Sequence, residues 1–168
     1  MAFLIKNYKL KFLELIPAII LLIISLNGLS VVDLKFFSFS IHYILIYYWV
    51  LKTPKILGYG FIFFTGVITD IVFGIPLGAT SLASLFIAAV AAYVRVVIVN
   101  VSLINDWVSF IPALLIANFI FFMALYFSDY SVDYLSLLKN SFFTIIFYPV
   151  LWIIFGILLK LIKSNSHA

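Results

Sequence analysis

The chain has 168 residues and a formal net charge of +4; 67% of the residues are hydrophobic, 10% are charged, and the mean hydropathy is +1.31. Soluble domains carry about 25% charged residues, so this composition excludes an ordinary soluble domain and predicts an all-α integral membrane protein. The basic residues lie singly or in small groups beside apolar runs, a pattern that orients a chain in a bilayer and offers no nucleic-acid surface, and the absence of cysteine excludes disulfide and thiolate chemistry.

The amino-terminal stretch MAFLIKNYKLKF places Lys6, Lys9 and Lys11 before an apolar segment near 12–32. That segment exceeds the h-region of a signal peptide and is followed by no small-x-small cleavage site, so it reads as a retained first span. A second span near 36–51 is short, and Phe37-Ser38-Phe39-Ser40-Ile41-His42-Tyr43 alternates apolar and polar residues with the period of a strand. The expectation is a short helix with an irregular entry; the competing reading is an extended interfacial segment leading into a shorter helix. Further spans follow near 56–74, 80–100, 107–127 and 141–160. They are joined by 52–55, by 75–79, by a turn around Asn105-Asp106, and by the longest connection, 128–140. Residues 1–168 thus read as one polytopic domain, a six-transmembrane-helix bundle with no soluble domain.

Charge sets the orientation. Six crossings from a cytoplasmic amino terminus put Lys6, Lys9, Lys11, Lys52, Lys55, Arg95, Lys160 and Lys163 inside and only Lys35 and Lys139 outside. Removing the second crossing leaves just Lys6, Lys9, Lys11 and Lys139 inside. The positive-inside rule therefore favours six crossings with both termini cytoplasmic.

Polar groups able to do chemistry are scarce. The two histidines, His42 and His167, build neither an HExxH zinc site nor a nucleophile pair, and GVITDIVFGIPLG (66–78) lacks the Gly-Lys-Ser/Thr of a phosphate loop. No catalytic residue, cofactor or metal site is predicted. Asp70 stands out because an acid inside a span costs about 2.5–3.5 kcal/mol at the helix centre and so faces protein or water. It lies only about 6 Å from the outer end of its span, whereas Arg95 is about 16 Å deeper, too far for a pair. Arg95 is expected to reach the cytoplasmic headgroups.

At Asp70's depth lie Thr80, Ser81 and Ser84 at the start of the next helix, with Thr80 or Ser81 as its amino-terminal cap. Asp70 is expected to bond there, where backbone N–H groups and the helix dipole favour an anion. Gly66, Asp70 and Gly74 share one face of the third helix, and Ser84, Ala88 and Ala92 one face of the fourth. Small residues at this spacing let membrane helices approach closely, while Gly74, Pro76 and Gly78 supply the turn. Asn118 is expected to make an interhelical hydrogen bond, Pro112 and Pro149 to kink their helices, and Trp49, Trp107 and Trp152 to anchor at the interface or pack in the core, Trp107 being the clearest anchor.

One ordered set is more specific: Tyr48-Trp49, Pro54, Gly60-Phe61, Gly66, Asp70, Gly74, Leu77-Gly78 and Pro149. With the length and the number of spans, it resembles the MreD family of bacterial rod shape-determining membrane proteins, most densely over 44–95. The chain departs from the Pro-Asp or Pro-Asn pair of many members, carrying Ile41-His42-Tyr43 instead. The resemblance implies a non-enzymatic scaffold in the bacterial inner membrane. Its partner would be an MreC-like bitopic protein, grouped with MreB, RodA and a class B penicillin-binding transpeptidase in lateral peptidoglycan synthesis. It also implies a fold similar to the S-component of energy-coupling-factor transporters. The alternative is a small-solute-binding transporter subunit, which would need several convergent polar side chains at one depth.

Overall fold

The computed structural model describes residues 15–34, 37–54, 56–98, 102–130 and 133–167. Lys6, Lys9, Lys11, Lys35, Lys55 and the outer limits of the first and fourth expected spans lie outside the described residues. The described chain comprises α1 (Ile16–Leu26), β1 (Val32–Leu34), β2 (Phe37–Phe39), α2 (Ile41–Lys52), α3 (Tyr59–Phe73), α4 (Ala79–Val97), α5 (Leu103–Phe127) and α6 (Tyr134–His167). Three helices are long and apolar enough to cross a membrane: α4, α5 and the part of α6 from Tyr134 to Ile162. The others are shorter. At 11, 12 and 15 residues, α1, α2 and α3 span about 16, 18 and 22 Å of a roughly 30 Å hydrocarbon core.

The second expected span is where the structure departs most from the sequence reading. Residues 32–34 and 37–39 form an antiparallel pair, Val32 opposite Phe39 and Asp33 opposite Ser38, and only then does α2 begin. The strand-period alternation therefore reports a real strand, and the extended-segment reading replaces the helix with an irregular entry. Phe39 stacks on Phe147 of α6 at 4.5 Å between ring centroids, which seats the strand pair on the bundle.

α2 is buried on every side. All residues from His42 to Leu51 are inside, with α1, α4 and α6 around them and α5 reached through Tyr47, whose ring lies 5.1 Å from Phe110. A helix that is apolar all round is a core helix. Tyr48 and Trp49, both in the family-like set, belong to this core and pack on Phe155 of α6. α4 is the other organising helix, lying against α2, α3 and α5.

Two further expectations are corrected. Asn105-Asp106 is not a turn but the first turn of α5, capped by the Ser102 hydroxyl, which accepts from the Asn105 N–H at 3.2 Å. The connection 128–140 shrinks because Asp133 caps α6 early, accepting from the Leu135 N–H at 3.1 Å and from the Ser136 hydroxyl at 2.6 Å. Trp107, half-buried, donates its indole N–H to the Ile145 carbonyl at 2.8 Å and ties α5 to α6. Pro112 and Pro149 both lie inside continuous helices.

Candidate functional site

The α3–α4 hairpin is built from its glycines and one carboxylate. Gly74 takes the left-handed conformation (φ 64°) just past α3. The Gly74 N–H then reaches the Ile71 carbonyl, and the Ile75 N–H reaches the Asp70 carbonyl. This paired closure satisfies carbonyls that a helix end leaves open. Gly78, at φ 99°, starts α4. The side chain of Asp70, fully buried, crosses to that start. Its Oδ2 accepts from the Gly78 N–H at 2.7 Å and its Oδ1 from the Thr80 N–H at 2.9 Å, with a longer contact from the Ser81 hydroxyl at 3.5 Å. Thr80 and Ser81 are therefore not the amino-terminal cap of α4. Gly78 holds that position without a side-chain bond of its own, and Asp70 supplies the capping oxygens from the neighbouring helix.

The expected packing face divides. A Cβ on Gly66 would lie 2.5 Å from the Ser81 Cα, so backbone meets backbone there. Gly74 packs on nothing; a Cβ there would find open space, and its role is the turn. On α4, Ser84 and Ala88 are fully buried whereas Ala92 is only half-buried. Pro76 lies between the two glycines, its carbonyl accepting from the Ala79 N–H.

Beside this hairpin the structure brings together residues that the sequence reading left apart. A cavity of about 460 Å³ opens at the end of the bundle formed by the strand pair, the α3–α4 turn and the start of α6. Such a volume lies within the usual range for small-molecule sites. Around it, Ser40 donates from its hydroxyl to Asn140 Oδ1 at 2.7 Å and from its N–H to Thr144 Oγ1 at 2.9 Å. Ser30 and Thr69 share a hydrogen bond of 3.1 Å. Asn118 donates to the Ser141 hydroxyl at 2.7 Å, the interhelical bond expected of it.

His42 is on the cavity wall, and although the sequence offers it no evident nucleophile, its Nε2 lies 3.2 Å from Ser84 Oγ. Its Nδ1 is buried without a hydrogen-bond partner, so the pair lacks the third group that would orient the ring as a base. A signal for this convergence existed in the sequence. Ser40, His42, Thr69, Thr80 and Asn140 all fall toward the same end of successive apolar runs, with Asn118 nearer the middle of its run. Asp133, at the cavity rim, has its pKa lowered chiefly by the Ser136 hydroxyl beside it.

The opposite end carries a second polar cluster. Lys52 Nζ lies 2.7 Å from Asp106 Oδ2, and the same oxygen accepts from the Trp152 indole N–H at 2.8 Å. The ammonium also faces the Trp152 and Tyr48 rings at 5.4 and 6.0 Å. Neither expected use of these residues, Lys52 as a loop charge and Trp152 as anchor or core, included this tie of α2, α5 and α6. Among the described residues no group of three or more His, Asp or Glu side chains is placed to hold a metal ion. No family model, curated protein or solved structure matches the chain.

Proposed function

We propose that the protein is a non-enzymatic scaffold of the bacterial cell-elongation complex, crossing the inner membrane six times with both termini in the cytoplasm. It binds an MreC-like bitopic partner and through it joins MreB, RodA and a class B penicillin-binding transpeptidase. The observation that carries the reading is the use made of the family-like set. Gly66 and Asp70 hold α3 against the start of α4, and Gly74 and Gly78 form the turn between them, so these four members of the set serve an architectural task. The outward face of α3, with Phe63, Phe64, Ile71 and Val72 exposed, is apolar and suits lipid or a partner helix. In this reading α1 to α3 complete their crossings with flanking residues and with the strand pair.

Co-expression with an MreC-like protein, mild detergent extraction and affinity capture of this chain tests the proposal. Stoichiometric recovery of the MreC-like protein is expected. A purified chain that instead retains a small solute and an ATPase-linked partner, with no MreC-like protein, overturns it in favour of a transporter subunit.

A further inference from the structure

We infer that the cavity at the hairpin end is a binding site for a small organic ammonium ion. The inference does not depend on the scaffold reading, because it rests on the chemistry of the lining alone. Among the described residues two carboxylates, Asp33 and Asp133, line the cavity and no lysine or arginine does, although Lys139 acts on Asp133 from outside the lining. An anion would need donors, and the natural ones, the backbone N–H groups at the start of α4, are already taken by Asp70. Thr80, which carries one of those N–H groups, is itself part of the wall. The remaining wall is aromatic as well as polar, with Tyr43, Phe73, Phe121 and Tyr130 on it. Ring faces beside carboxylates attract a desolvated ammonium through the ring quadrupole. The hydroxyls and amides of Ser38, Ser40 and Asn140 would orient polar substituents.

The absence of cysteine makes the test direct. Ser38→Cys, and separately Val31→Cys, each put one thiol on the cavity wall of the full chain in detergent or nanodiscs. Both are compared with trimethylammonium-ethyl and sulfonatoethyl methanethiosulfonates, with tetramethylammonium as the competing probe. Each rate is divided by the same reagent's rate with free β-mercaptoethanol, and on that scale modification by the cationic reagent is expected at least about tenfold faster than by the anionic one. Tetramethylammonium should slow that reaction, whereas equal concentrations of sodium or glycerol should not. Asp33→Asn with Asp133→Asn should erase the preference in either cysteine variant. Thiols that do not react in folded protein, reaction without charge preference, or reaction that tetramethylammonium leaves unchanged would each overturn the assignment. Protection by glycerol equal to that by tetramethylammonium would overturn the ammonium class.

Discussion

At the scale of single residues, Asp70 shows why an acid is kept in an apolar helix. Both carboxylate oxygens accept a backbone N–H from the start of α4, so the side chain must offer two acceptors. Asparagine offers one, and its NH₂ would face the other N–H. A buried group left unsatisfied costs about 1–3 kcal/mol. Asp70→Asn is therefore expected to lower stability by about that amount, and Asp70→Leu by clearly more because both N–H groups lose their partner. Reversible unfolding in mixed micelles orders the three proteins; equal stabilities would remove Asp70 from the hairpin's support. Gly66→Ala forces α3 and α4 apart, since its Cβ would meet Ser81 backbone, and should cost about 1–3 kcal/mol by overpacking. Gly60→Ala, with nothing within 4 Å, serves as the neutral control in the same measurement. The bond from Asp70 to the next helix was legible from spacing alone, because helix rise fixes depth. The turn at Gly74, Pro76 and Gly78 was legible as well, but Gly74's absence from the packing face was not, because equal four-residue spacing hides that Gly74 has already left the helix with φ 64°.

At the scale of elements, the sequence announced apolar segments but blurred what kind they were. A buried helix and a membrane-crossing helix are both apolar all round, so α2, only 12 residues long, looked like part of a span. The alternation over 37–43 was the right signal for β2, and it lost to the length of the apolar run around it. Lone charges were also hard to read, since Lys52 and Asp106 lie 54 positions apart and only the fold joins them. Asp106 is almost completely buried with Lys52 and Trp152 on one oxygen. Removing one member of a buried ion pair leaves a stranded charge, at a cost of about 3–5 kcal/mol. Lys52→Met should approach that loss, and Lys52→Met with Asp106→Asn should recover part of it. Thermal unfolding of the purified chain measures these and Asp106→Asn alone; a double variant whose loss equals the sum of the Lys52→Met and Asp106→Asn losses would show that the pair is not coupled.

At the scale of the whole molecule, the two ends of the bundle differ in kind. One end holds the cavity, the strand pair and the tight turn at Gly74–Gly78; the other holds Lys52, Asp106 and the last turn of α4 with Arg95 exposed. In the proposed topology the positive-inside rule puts the second end in the cytoplasm and the cavity mouth on the outer side. Leu77, exposed in the turn, and Ser102, exposed before α5, sit on opposite ends and make the orientation measurable in the cysteine-free chain. In intact spheroplasts Leu77→Cys should react with a membrane-impermeant maleimide, whereas Ser102→Cys should react only after permeabilisation. The reversed pattern would invert the molecule and turn the cavity toward the cytoplasm. Reaction of both thiols in intact cells would break the six-crossing topology itself, because residues 77 and 102 are separated by α4, a helix of 19 apolar-rich residues long enough to cross once.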